Sequence, residues 1–355
     1  MDEDTTDLSN PIWHNPDFPD FYRNAKALSP LESSIRREAR KLPKAANSAD
    51  VMVSELLSNS AIEGVILSQE KLKSSLLGNL AGPADKREKN AVTAMKLAIE
   101  NFKRPLTHEL VQQINGLFNE SPDHAGKYVG GIILVKPGRF GERTIMDRGV
   151  ESDKVDAAMD IFVKAFNSQG KSTPLFNAIA GHVHFEKIHP FSDGNGRTGR
   201  VLMNMALMRD CGLAHPLALS RAIQAETKVY YECLGRSSLD LTQTVKDLAQ
   251  MMSLAFQETT RLSKLTEFRK QSHAVELNPR QRKVIDRLIA AELESGYVGK
   301  FTSPKYEALT NTRESTALRD LGGLVRAGLL VKKGASKNSH YVLPLGESKE
   351  HYDER

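Results

Sequence analysis

HPFSDGNGRTGR, residues 189–200, crowds a histidine, an acid, three glycines and two arginines into twelve positions. Gly194 and Gly196 flank Asn195 just ahead of RVLMNMALMRDCG (200–212), an apolar run that reads as a buried helix ended by Gly212. Glycine permits the backbone turns that aim successive N–H groups at one point. The helix start that follows adds unpaired donors and a partial positive charge. Together they make a cradle for an anion such as phosphate. Arg197 and Arg200 are three apart and so share a helix face. Their planar guanidinium groups suit phosphate oxygens bidentately. Asp193 beside such a cradle is either repelled by a phosphate or used to hold a cation, magnesium being the usual one. His189 is placed to accept a proton near neutral pH, and Phe191 is expected to pin the loop into the core. A base, a metal ligand, an amide cradle and two arginines suit transfer from a nucleotide polyphosphate to a hydroxyl, mostly by positioning and charge stabilisation.

Upstream of this stretch the chain reads as helices, with apolar residues at three- and four-residue intervals over 31–42, 48–62, 68–80, 86–102, 107–119, 152–167 and 173–187. Ser48 and Asp50 are candidate N-caps, and Gly64 is expected just past a helix end. The arm IWHNPDFPDFYRN (12–24) is aromatic and proline-broken, so no regular helix is expected there. One segment departs from the helical series: YVGGIILVKPGRFGERTIMD (128–147) reads as a hairpin around a Pro-Gly turn. Downstream, SRAIQAETKVYYECLGR (220–236) reads as a helix capped by Ser220, and 255–275 as a polar connecting helix. Helices over 280–294, 303–309 and 313–327, then strands GLLVKK and SHYVLP joined by GASKN, resemble a winged helix-turn-helix. His182 and His184 are two apart, whereas helical zinc pairs favour four, so both are expected to pack rather than bind metal.

Composition narrows the setting. The 355 residues allow two or three domains. Two cysteines, Cys211 and Cys233, are too few for a disulfide framework, and a reducing cytoplasm is the expected location. The acidic start MDEDTTDLSN is not a secretory signal. No apolar run approaches the roughly 18–20 residues of a membrane span, so no membrane partner is expected. The net charge is +5, and residues 278–345 hold twelve Lys or Arg against six Asp or Glu. That segment, with Arg313, Arg319, Arg326, Lys332, Lys333 and Lys337, is a candidate DNA-binding unit, with protein docking or a solvated hairpin as the other readings.

His189, Phe191, Asp193, Gly194, Asn195, Gly196, Arg197 and Arg200 match every fixed position of HxFx[D/E]GNGRxxR, and on these residues the chain resembles the Fic family. The resemblance implies a mainly α protein: a Fic helical core with a β-hairpin flap, an N-terminal helical extension and a C-terminal winged helix-turn-helix. The division it implies is an arm and extension over 1–95, a core over 96–260, a linker over 261–277, the winged helix over 278–345 and a polar tail over 346–355. It implies AMPylation, the transfer of AMP from ATP to a Ser, Thr or Tyr hydroxyl of a target protein. In that reading His189 deprotonates the hydroxyl and Asp193 holds Mg2+ against the α- and β-phosphates. The amides of Gly194, Asn195 and Gly196 cradle the phosphates, Arg197 meets the γ-phosphate and Arg200 supports the β-phosphate side. Tyr230 and Tyr231 fall near the adenine pocket. A target docks on the 128–147 flap by adding a strand, with self-modification and a homodimer as further partner expectations.

Many members of the family carry an inhibitory helix with the pattern [S/T]xxxE[G/N]. NSAIEG, at the end of a helix over about 48–64, resembles it, and Glu63 is expected to pair with Arg197 where the γ-phosphate would sit. Asn59 stands where the pattern has Ser or Thr. Transfer of another nucleotide such as UMP, removal of AMP with Glu63 orienting water, and a DNA-binding regulator whose core senses nucleotide are the alternatives.

Overall fold

The structure, a computed structural model, describes residues 12–42, 49–78, 86–121, 123–131, 133–137, 143–168, 173–295, 300–335 and 338–345. Ser48, the hairpin tip 138–142, Lys337 and the tail 346–355 lie outside them. Among the described residues the chain is dominated by helices, with two small antiparallel hairpins. It divides into two compact units, residues 1–259 and 260–355.

The first unit is built around α7 (Pro174–Ile188) and α8 (Asn195–Cys211), joined by the loop 189–194. Both are buried along almost their whole length, on every side rather than along one stripe, with polar residues such as Asn195, Arg197, Arg200 and Asn204 of α8 buried among the apolar ones. Earlier helices surround them: α1 (Ala25–Lys41), α2 (Ala49–Ile62), α3 (Gln69–Leu76), α4 (Lys86–Asn101), α5 (His108–Phe118) and α6 (Val155–Ser168). Local chemistry explains several ends. Asn24, Ser68 and Thr107 each accept an amide hydrogen bond as N-caps of α1, α3 and α5. Gly212 closes α8 in the left-handed conformation (φ 67°). The start of α7 is capped from a distance: the Glu32 carboxylate on α1 accepts from the amides of Leu175 (3.1 Å) and Phe176 (2.9 Å). The aromatic arm packs on the same helix, with Phe18 and Phe21 set edge-on against buried His184. His184 thus does the packing its sequence context suggests.

The expected hairpin is β1 (Ile133–Pro137) paired with β2 (Arg143–Arg148), with a register shift between Leu134 and Val135. Its stem is tied to the loop after α7. Val129 N–H donates to Pro190 O (2.8 Å) and Val150 N–H to Ile188 O (2.9 Å).

Two expectations change. The helix read over 220–236 is two, α9 (Leu219–Ala225) and α10 (Thr227–Gly235), broken at Glu226. Ser220 does not cap: it lies inside α9, and its hydroxyl and amide both donate to Glu55. The connector expected near 255–275 belongs to a longer helix, α11 (Thr242–Ala274). No helix among the described residues is long and apolar enough to cross a membrane.

The second unit holds α12 (Pro279–Ser295), α13 (Ser303–Thr310), α14 (Glu314–Arg326) and the hairpin β3 (Val331–Lys333) with β4 (His340–Val342). Asn311, left-handed at φ 52°, turns the chain from α13 into α14.

Candidate active site

His189 is where α7 stops. Its backbone is left-handed (φ 49°, ψ 59°) and its N–H closes the helix on Phe185 O. This region is uncommon for a residue with a side chain, and here it turns the histidine out of the helix path. Gly149, at the foot of the hairpin, lies flush against it: a Cβ there would come within 2.9 Å of both His189 Cβ and Ile188 O. Two residues on, Phe191 is fully buried between Tyr128 and Phe185 and anchors the loop. Asn195 staples the loop shut, accepting from Phe191 N–H (3.0 Å) and donating to Phe191 O (2.7 Å). Its side chain is therefore structural, and only its backbone amide is left for a ligand.

Gly194 begins α8 at φ 79°, with Asn115 Nδ2 and Phe118 Cβ 3.1 and 3.2 Å from where a Cβ would be. Asn115 Nδ2 donates to Asp193 O (2.8 Å) and Asn119 Nδ2 to Ser192 Oγ (3.1 Å). These two asparagines of the α5 region fix the outer wall of the loop. Sequence reasoning missed them, because single asparagines on or beside a helix carry no motif. Asp193 remains 59 % exposed, its oxygens accepting from Gly194 N–H (2.7 Å) and Arg197 Nη2 (3.1 Å).

The structure corrects the expected partner of Glu63. Its carboxylate bonds Arg200 Nη2 at 2.8 Å, not Arg197. The reason lies one turn earlier. Asn59 and Glu63 are four apart on α2 and its C-terminal turn, hence on one face. Asn59 Oδ1 accepts from Arg200 Nε (2.7 Å) and Asn59 O from Arg200 Nη2 (2.9 Å), so the two residues grip one guanidinium. Asn59 also donates to Arg197 O (3.2 Å). The position that departs from the inhibitory pattern is thus the one that orients the second arginine. Arg197 turns instead to Asp193.

Two buried donors, Arg197 Nε and Arg200 Nη1, have no hydrogen-bond partner among the described residues. A Cβ on Gly196 would run into the Glu63 carboxylate and come within 3.0 Å of Arg200 Nη1. The Glu63 carboxylate therefore sits on the first turn of α8, the place the cradle offers to an anion. Unsatisfied arginine donors beside a glycine-lined helix start fit a polyphosphate. A magnesium ion at Asp193 would take its other ligands from phosphates and water, since no group of three or more His, Cys, Asp or Glu side chains among the described residues is arranged to hold a metal.

The tyrosines part ways. Tyr230 is 1 % exposed and hydrogen-bonded to His182 Nε2 (2.6 Å), which places it behind the site, contrary to a contact with nucleotide. Tyr231 is 42 % exposed, and burial of its hydroxyl together with the Glu63 charge pushes its titration up to about 12. Of the pair, only Tyr231 is exposed. Glu186, also missed from the sequence, stands behind Arg200: burial pushes its carboxyl up to about 8, with Arg200 opposing and Glu63 reinforcing the shift. Burial and Arg200 hold His182 down to about 3, so it is neutral.

Residues 105–207 match the Fic/DOC family. The chain is 33 % identical over 127 residues to protein adenylyltransferase Fic of Drosophila yakuba, covering 34 % of this chain and 25 % of that protein. It is 30 % identical over 215 residues to protein adenylyltransferase fic-1 of Caenorhabditis briggsae, covering 56 % and 39 %. The chain therefore spans well under half the length of these relatives. In fold it is similar to a crystal structure of a Fic family protein from Desulfovibrio desulfuricans G20, with TM-score 0.56 and 20 % identity over 92 % of this chain and 98 % of that one.

Proposed function

We propose that this chain, which carries a Fic domain over residues 105–207, is a protein adenylyltransferase that moves AMP from ATP to a hydroxyl side chain and is held back by Glu63. The observation that carries the reading is the convergence of the left-handed His189, the start of α8, and the unpartnered donors of Arg197 and Arg200. A target hydroxyl oxygen attacks the α-phosphorus while His189 takes its proton. The new P–O bond forms as the bond to the β-bridging oxygen breaks, and pyrophosphate leaves. The amides of Gly194, Asn195 and Gly196 and the two arginines hold the phosphates, where charge develops. Mg2+ on Asp193 would neutralise charge between the α- and β-phosphates. Tyr231 flanks the adenine. The 128–147 hairpin, hydrogen-bonded at its stem to the His189 loop, offers the target a strand edge next to the base.

Glu63 competes with the nucleotide for Arg200. One guanidinium edge cannot bond both anions, so ATP bound beside the latch would lack an arginine contact that fixes its terminal phosphates. The test is labelling of the full chain with α-³²P-ATP and magnesium, using self-modification as the readout. Label in Glu63→Gly that disappears in Glu63→Gly/His189→Ala supports the reading. Equal label in both variants removes His189 from the mechanism. A preference for α-³²P-UTP would replace AMP as the transferred group.

A further inference from the structure

On α14 the second unit turns Asp320 inward and Arg319 and Arg326 outward. On the inner side of α14, Asp320 is 4 % exposed and accepts from Arg280 Nε (2.8 Å), Tyr306 OH (2.9 Å) and Asn278 Nδ2 (3.2 Å). One carboxylate thus pins α14 to α12 and α13, together with Ala317, Leu321 and Leu324 in the core of the unit. The opposite side exposes Ser315, Leu318, Arg319 and Arg326, and Arg313 is exposed at the N-cap. None of these arginines has an ion pair among the described residues. Positions 315, 319, 322 and 326 follow the four-three-four spacing of a single helical stripe.

Two adjacent glycines interrupt this helix, and they differ. A Cβ on Gly323 would come within 2.9 Å of Gln281 Nε2, which itself donates to Asp320 O (3.0 Å), so a side chain there would displace that amide. A Cβ on Gly322 would meet only the tip of Arg326 at 3.5 Å, an ordinary contact. Glycine inside a helix costs stability relative to alanine, and no close neighbour among the described residues explains Gly322. A partner that comes close to the bare backbone would. Beside this stripe in the chain, all three residues of β3, Val331, Lys332 and Lys333, are exposed, while the hairpin is held from below by buried Tyr341, whose N–H donates to Phe301 O (2.7 Å).

We propose that this unit binds duplex DNA, with the Ser315–Arg326 face of α14 in the major groove and with Arg313 at its N-cap, and Lys332 and Lys333 of β3, on the phosphates. The thirteen residues of α14 make a rod ~20 Å long, and the major groove, ~12 Å wide, admits one helix. Arginines along the rod reach guanine edges or phosphates, Leu318 offers an apolar contact for a thymine methyl, and Gly322 lets the rod sit deep. Glu314 is the one exposed acid on α14, against exposed Arg319 and Arg326 on the helix and Arg313 at its N-cap. An amphipathic peptide helix would need a groove with apolar anchors, whereas this face carries a single exposed large apolar side chain, Leu318.

The experiment is fluorescence anisotropy of the full chain with a short mixed-sequence DNA duplex, between about 50 and 200 mM KCl. The expected result is affinity that falls with salt on a log–log slope of about −4, near the −0.9 per phosphate expected for five cations. Arg319→Ala/Arg326→Ala and Lys332→Ala/Lys333→Ala should each reduce that slope by about 2. Gly322→Gln separates binding from folding: it should weaken duplex binding at least tenfold while leaving thermal stability unchanged or higher. The proposal is overturned by absence of binding at the lowest salt, by wild-type affinity in Gly322→Gln, or by equal affinity for poly-glutamate, which would mark a general polyanion surface.

Discussion

Glu55 in the middle of α2 and Glu63 just past its end are the same residue eight positions apart, put to opposite uses. Glu55 is fully buried and accepts three hydrogen bonds: from the Ser220 amide and hydroxyl (2.6 Å each) and from Asn204 Nδ2 (3.0 Å). It ties α2 to α8 and α9. The Glu63 side chain is 31 % exposed and makes one ion pair, to Arg200. A buried carboxylate with several donors holds, because breaking it strands those donors away from water. A half-exposed one with a single partner can let go, because water replaces what it loses. Helix α2 is thus anchored at its centre and releasable at its tip.

The sharpest way to break this contrast is Glu55→Ala, which strands the Ser220 amide and the Asn204 side chain. It should cost about 3 kcal/mol of stability, measured by denaturant or thermal unfolding. A cost under about 1 kcal/mol would mean the helix is anchored elsewhere. Glu63→Gly should do the reverse: unfolding close to wild type, but self-labelling raised about ten- to a hundredfold, the kinetic equivalent of one charge-assisted hydrogen bond. If its melting point fell as far as that of Glu55→Ala, anchor and latch would not be separate.

A third carboxylate tests the same logic through pH. The folded-state pKa of Glu186, about 8, lies above the ordinary 4.5. The folded chain therefore binds more protons between those values, and stability falls as pH rises through that window. Buried His182 and His184, both held down to about 3, act oppositely below their ordinary 6.5, so the comparison is with Glu186→Gln. Between about pH 6 and 7.5, that variant should lose about 2 kcal/mol less than wild type; parallel profiles would show that Glu186 does not titrate there. The smallest effect belongs to Asn59. In a Glu63→Gly background, Asn59→Ala removes the acceptor that orients Arg200 and should lower kcat/KM for ATP about fivefold, the worth of roughly 1 kcal/mol. An unchanged value would leave Asn59 a packing residue.

Residue chemistry made some of these features legible and others not. The mainly helical pattern, the hairpin inside it and the helix closed by Gly212 follow from local periodicity and turn residues. The split at Glu226 between α9 and α10 was hidden because the apolar spacing continues across it. Ser220 carries the side chain of an N-cap, and a serine bonded to a buried carboxylate looks no different in sequence. Asn115 and Asn119 act on the loop from across the fold, so no spacing within the loop could announce them.

What the sequence determined by itself is the cradle: a left-handed glycine, a helix start and two arginines three apart are contiguous, and contiguous residues build their geometry from backbone preferences alone. What only the tertiary structure decided is how distant groups pair. Glu63 meets Arg200 across 137 residues, Ser220 meets Glu55 across 165, and Tyr230 turns inward to His182 across 48. Each choice depends on how one helix lies on another. A shift of a single helical turn exchanges one arginine for the other, and nothing in the local sequence records it.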